Sequence, residues 1–288
     1  MKFFYFLSLL SLFACTNSEV ENTQSYTYQE VFFPSNDARL SGGLWLPVSA
    51  GPHPAMVIAH GSGRSTKDNA RGMAEHFVQK GFAILTYDKR GVGDSEGTYV
   101  GKNNTSRRNL LLLAQDVSLG ISYLKSLPVI DAGQIGIYGW SQAGWILPIV
   151  AAQRYVKFSI LISGPTVTTG EENYYSDLTG DGSTREFDQK EISRKLAEKG
   201  PSGFDPYPYL EKMNATGLWL LGGADRSIPI PESVAVLDRL IDDEQKPFYY
   251  HVFQDANHGL RVNGQLVDSY WKIQEDFLFN TVKIVVSK

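Results

Sequence analysis

The sequence predicts an α/β fold, a mostly parallel sheet of about eight strands with helices on both faces. From Tyr26 onward, short apolar runs of β type alternate with stretches of helical periodicity, and no internal repeat breaks the rhythm. The 288 residues, 42% of them hydrophobic and 20% charged, suffice to bury one large core. The formal net charge is −4, and Lys and Arg are scattered rather than gathered into a stripe, which argues against a nucleic-acid partner.

The elements follow in order. Residues 28–33 and 39–46, separated by Pro34-Ser35-Asn36-Asp37, read as an antiparallel entry hairpin. A buried strand is expected at 55–59, then a helix from the spacing of Ala70, Met73, Phe77 and Val78, closed by Gly81 and followed by a strand at 82–87. The next helix carries Ala114, Val117, Ile121 and Leu124 on one face and stops before Pro128, leading to a strand at 134–138. Residues 142–153 are apolar nearly all round, as a helix buried against a sheet should be, and Pro148 is expected to bend or interrupt it. After a strand at 157–163, residues 164–214 turn polar and rich in Gly, Pro, Tyr and charge, with one helical stretch at 187–199, and read as an inserted cap. The sheet resumes at 218–221, with a helix at 231–242, a strand at 248–253 and a closing helix at 266–282.

The first residues stand apart. Lys2 precedes a mostly apolar run over residues 3–14, interrupted by Ser8 and Ser11 and too short to span a bilayer, so residues 1–14 read as a signal peptide. The run ends in Leu12-Phe13-Ala14-Cys15, which resembles the bacterial lipobox, with Phe13 bulkier than the usual residue there. That resemblance implies lipidation of Cys15, the only cysteine, with residues 15–29 as lipidated residue and tether; an ordinary cleaved signal peptide is the alternative. The folded domain is expected at 30–288, in the cell envelope, with membrane contact through the lipid alone.

The chemistry centres on Gly139-Trp140-Ser141-Gln142-Ala143-Gly144, directly between an expected strand and an expected helix. A turn this tight needs small neighbours, holds Ser141 in a strained conformation and lifts its hydroxyl clear of the sheet. The usual pattern of such an elbow is G-x-S-x-G, and Ala143 is the smallest possible departure. Three more motifs lie at strand ends: His60-Gly61-Ser62-Gly63, Leu221-Gly222-Gly223-Ala224-Asp225 and Asp255-Ala256-Asn257-His258-Gly259. Of five histidines, only His258 falls in a Gly-containing loop after a late strand.

In this order the four motifs resemble the α/β-hydrolase superfamily of serine hydrolases, in its esterase and prolyl-oligopeptidase-like group. The resemblance implies an α/β-hydrolase fold with Ser141 as nucleophile, His258 as general base and Asp225 as the acid that orients it. Asp255, close to His258 in sequence, is a rival acid. By the same match, the backbone N–H groups of Ser62 and Gln142 are the oxyanion donors. Tyr87-Asp88-Lys89-Arg90-Gly91-Val92-Gly93-Asp94-Ser95 resembles a loop that braces the active-site side of the sheet, with structural work expected of its Asp and Arg. Neither metal nor organic cofactor is implied. Hydrolysis of a carboxylic ester through an acyl-enzyme is the leading expectation, a peptidase or thioesterase with the same triad the alternative, and a noncatalytic binding lipoprotein a third possibility.

Overall fold

The computed structural model describes residues 25–101, 104–180 and 187–286. The expected signal peptide and Cys15 lie outside the described residues.

The entry hairpin pairs β1 (Tyr26–Ser35) with β2 (Ala38–Pro47) around a turn of only two residues, Asn36-Asp37, because Asn36 adopts a left-handed conformation at φ 45°. The ladder thus includes Pro34 and Ser35, which the sequence assigned to the turn. Tyr26 and Tyr28 lie against Trp45, ring centroids 5.5 and 4.7 Å apart. This packing draws the last residues of the expected tether, 26–29, into the sheet and moves the domain boundary forward from 30.

The other strands are β3 (His53–Ala59), β4 (Ala83–Tyr87), β5 (Ile130–Trp140), β6 (Phe158–Ile162), β7 (Thr216–Gly222) and β8 (Phe248–Phe253). The sheet order is β1-β2-β4-β3-β5-β6-β7-β8, with β2 antiparallel to its neighbours and β3 to β8 parallel. This is the α/β-hydrolase topology. Alternate strand residues feed two cores. Val57, Leu85 and Ile137 meet α2 (Arg107–Lys125), α3 (Ala143–Gln153) and α7 (Ile230–Asp242) on one face, while Met56, Ile84 and Tyr138 meet α1 (Arg71–Val78) and the C-terminal segment on the other. The strands run toward one edge of the sheet, which gathers the loops after β3, β4, β5, β7 and β8 there.

Three segments depart from the sequence expectation. Helix α3 runs unbroken through Pro148, with residues 143–151 all buried, so packing on every side sustains it. Among the described residues between β6 and β7 there are three helices rather than one: α4 (Thr169–Thr179), α5 (Gln189–Lys199) and α6 (Tyr207–Leu210). Helix α4 lacks apolar periodicity but begins with a reciprocal capping box, Thr168 with Glu171, and shares a small core of Tyr175, Ile192 and Leu196 with α5. The closing helix starts later than expected. Gln265–Leu266 pairs with Arg261–Val262 around Asn263-Gly264, both at positive φ, and α8 (Tyr270–Asp276) then runs into a π-helical turn at Phe277–Thr281. Asn-Gly between short β segments is a hairpin signal, and here it prevails over the helical spacing.

Candidate active site

The reversal from β5 into α3 is sharp. Ser141 sits at φ 54°, and its N–H donates to the Ile162 carbonyl at 2.9 Å, tying the turn to the end of β6. A Cβ on Gly139 would lie 2.5 Å from the Ala143 methyl, so a side chain at one of these positions excludes a side chain at the other. The departure noted at Ala143 is therefore accommodated by glycine at 139.

The acid lies at the end of β7 and is 1% exposed. Asp225 Oδ1 accepts from the N–H groups of Ser227 and Ile228 at 2.8 and 2.9 Å, and Oδ2 lies 2.7 Å from His258 Nδ1. This pairing favours one tautomer: Nδ1 carries the proton toward the carboxylate, which leaves Nε2 as the nitrogen able to accept one. Asp255 is exposed, and the carboxylate on His258 is that of Asp225.

The His258 loop descends closely onto β7. A Cβ on Gly222 would meet the carbonyls of Asn257 and Ala256 at 2.4 and 2.5 Å, so the absence of a side chain there lets the loop approach. Ser163, itself at φ 48°, donates from Oγ to the His258 carbonyl at 2.8 Å. Ile162 and Ser163, adjacent at the end of β6, thus hold the backbones of Ser141 and His258 respectively. Above them, Tyr175 of α4 donates from its hydroxyl to the Asp225 carbonyl at 2.8 Å, which joins the inserted segment to the acid's loop.

A cavity of about 400 Å³ opens beside His258, walled by Met73, Trp140, Ile162, Ser163 and Tyr270. A second hollow of equal volume, at Asp37, Arg90 and Arg108, shares no lining residue with it. Gly61 is so close to the elbow that a Cβ there would stand 3.4 Å from the Ser141 Cβ and 2.9 Å from Trp140 Nε1. The Gly61-Ser62 loop therefore abuts the elbow. Among the described residues, the Ser62 and Gln142 amides donate to no carbonyl of the turns and loops.

His60 is buried, its Nε2–H donating to the Tyr87 carbonyl, and burial pushes its pKa down to about 4, so it is a neutral structural group. The loop after β4 does the bracing expected of it. Asp88 accepts from the Lys67 backbone at 2.7 Å, from Lys67 Nζ at 3.3 Å and from the Asp94 amide at 2.9 Å, and Arg90 pairs with Asp116 at 2.7 Å and Asp37 at 2.8 Å. Sequence reasoning gave Lys89, between them, no part. It is buried and donates to the Gly61 carbonyl at 2.6 Å and to Gln142 Oε1 at 2.9 Å. Its position directly after Asp88 in a loop at the functional edge was the one available signal. Among the described residues, no three His, Cys, Asp or Glu side chains cluster as metal ligands.

Sheet topology and a serine-bearing elbow define the class, a serine hydrolase of the α/β-hydrolase type. The chain belongs to the prolyl oligopeptidase family, whose model matches residues 70–284. Among curated relatives, the quorum-quenching protein AidA of Acinetobacter baumannii is 36% identical over 118 residues, covering 40% of this chain and 36% of that protein. A probable dipeptidyl peptidase 4 of Aspergillus clavatus is 23% identical over 85% of this chain and 32% of its own length. The matched stretches span about a third of the length of these relatives. Among solved structures, an esterase of Pyrococcus furiosus superposes with a TM-score of 0.65 at 18% identity, over 89% of this chain and 91% of its own. The acylaminoacyl peptidase of Pyrococcus horikoshii gives 0.67 at 21% identity, over 92% of this chain and 43% of that one.

Proposed function

We propose that this chain hydrolyses a carboxylic ester through an acyl-enzyme on Ser141. His258 Nε2 takes the Ser141 proton while Ser141 Oγ bonds to the acyl carbon and the carbonyl electron pair moves onto oxygen. The Ser62 and Gln142 amides receive that oxyanion, and donors of this kind each contribute about 3 to 4 kcal/mol to lowering the barrier. The intermediate collapses, the leaving oxygen takes the proton back from His258, and a water molecule repeats the sequence to release the acid. The observation that carries the reading is the 2.7 Å contact of His258 Nδ1 with Asp225, whose other oxygen is held by two amides. A largely apolar cavity of about 400 Å³, with Ser65, Asn69 and Ser163 as polar lining, favours a small or medium acyl or alcohol group.

Peptide hydrolysis by the same triad is the second reading, supported by the family match over residues 70–284 and by dipeptidyl peptidase relatives along most of the chain. A relative described as a thiohydrolase supports a thioester variant of the first. Labelling of the soluble domain with a fluorophosphonate, wild type against Ser141→Ala, tests the nucleophile. A panel of aryl esters, thioesters and amino-acyl arylamides then separates the readings. Labelling of wild type alone with turnover of aryl esters is the expected result, equal labelling of both removes Ser141, and turnover restricted to arylamides selects the peptidase. We also propose export and lipid attachment through Cys15, supported by the N-terminal pattern.

A further inference from the structure

Lys89 is the buried charge that the proposed chemistry leaves unused. It is 4% exposed, and among the described residues no carboxylate lies within ion-pair distance of it. Burial of so strongly hydrated a group without a counter-charge is costly, and its two acceptors do not repay that cost in stability. The acceptors are informative in themselves. Gly61 C=O and Ser62 N–H belong to one peptide unit, so an ammonium bound to the carbonyl at 2.6 Å fixes the plane and directs the N–H to the opposite side. The elbow adjoins this peptide, since the Gly61 Cβ position is 3.4 Å from the Ser141 Cβ. Lys89 reaches the second oxyanion residue too, donating to Gln142 Oε1 at 2.9 Å while Gln142 Nε2 donates to the Asn104 carbonyl at 2.9 Å. The Ser62 carbonyl is held separately by the Tyr99 hydroxyl at 2.9 Å. Both peptide planes flanking Ser62 are therefore fixed by side chains.

We propose that Lys89 is a positioning residue of the oxyanion hole: its ammonium locks and polarises the Gly61–Ser62 peptide and anchors Gln142, so that both amides are aimed before substrate arrives. This rests on the proposed hydrolase reading and adds the group that preorganises its electrostatics. The charge matters as well as the contact, because a cation on a peptide oxygen draws density from the N–H and strengthens it as a donor. Around the ammonium stand His60, neutral above its depressed pKa of about 4, the Tyr99 ring at 5.8 Å and Arg64 on that ring at 4.9 Å; Asp88 is engaged by Lys67. Burial lowers the pKa of Lys89 to about 8, so its charge is lost as pH rises through that value.

The test compares wild type, Lys89→Met and Lys89→Gln on an aryl ester, with rates expressed per active site titrated by fluorophosphonate, so that misfolded protein is not counted. For Lys89→Met the expected result is a roughly 10²-fold loss in kcat with KM within threefold, a parallel weakening of a trifluoromethyl ketone that forms an oxyanion adduct, and no fall in Tm. The alkaline limb of the wild-type rate, falling through about pH 8, should be absent from the variant. Lys89→Gln, which keeps an uncharged N–H donor group, should fall between the two, and it applies the same criteria if the Met variant does not fold. A kcat per titrated site within threefold of wild type, or a loss confined to KM, overturns the proposal. A wild type that neither labels nor turns over overturns the nucleophile assignment beneath it instead.

Discussion

Because Asp225 uses one carboxylate oxygen for two amides and the other for His258, replacing that second oxygen by an NH₂ changes the chemistry with little change of shape. In Asp225→Asn the amide oxygen can still accept from Ser227 and Ile228, but its nitrogen then faces His258 Nδ1 as donor against donor. The imidazole must shift its proton to Nε2, where it can no longer accept one from Ser141. A fall in kcat of about 10⁴, some 5 kcal/mol of barrier, is expected for Asp225→Asn, with Asp255→Asn close to wild type in the same aryl-ester assay. The reverse ranking gives the acid's role to Asp255. His60 provides a prediction about stability. Its pKa is lowered from 6.5 to about 4 by burial, so the unfolded chain binds this proton first as pH falls. Stability should therefore decline from about pH 6.5 down to about pH 4 and be fully present above, by up to about 3 kcal/mol for this group. Urea midpoints at pH 7 and pH 4 for wild type and His60→Gln measure it, and an equal decline in both proteins refutes the assignment.

Elements, rather than single residues, set the distances in the site. Strands β6 and β7 end beside the elbow and the His258 loop, and small residues at those ends allow backbone to meet backbone. Gly222 is the tightest case, with two carbonyls of the His258 loop within 2.5 Å of a Cβ position. Gly222→Ala must push that loop away from Asp225. A destabilisation of about 1 to 3 kcal/mol is expected, with a fall in kcat per titrated site that exceeds what the lost folded fraction explains. Denaturant unfolding combined with active-site titration checks it; unchanged kcat per site would show that the loop tolerates the shift. The sequence made such ends legible where glycine and serine are concentrated, as in Gly139-Trp140-Ser141 and Gly222-Gly223. It left α4 hidden, because that helix is held by a capping box and by contacts to the Asp225 loop rather than by an apolar stripe. Lys89 was hidden for a related reason: lysines are exposed by default, and only the fold shows one with its stem buried and its ammonium on the Gly61 carbonyl.

At the scale of the whole molecule, the strand count and the placing of residues 141, 225 and 258 just after strand ends were readable because a parallel sheet writes itself as alternating periodicities. Topology then brings residues 60–62, 141, 225 and 258 to one edge. The inserted segment between β6 and β7 was readable only as a break in that rhythm, and its three helices depend on caps and tertiary contacts. The proposed lipid anchor bears on where the domain works. The first described strand starts at Tyr26, ten residues beyond Thr16, which leaves a short polar connection between Cys15 and the sheet. With one acyl-modified cysteine and a tether of that length, the domain would stay close to the membrane surface, although Tyr26, paired with Pro47, enters the sheet at the edge opposite the one that carries Ser141. Metabolic labelling with a fatty acid should mark the wild-type protein and leave Cys15→Ser unmarked and released into the soluble fraction, with unaltered turnover of a water-soluble aryl ester. Equal labelling of the two proteins ends the lipid-anchor reading; labelling lost together with aryl-ester turnover would mean that the N-terminal segment serves the domain's folding as well as its location.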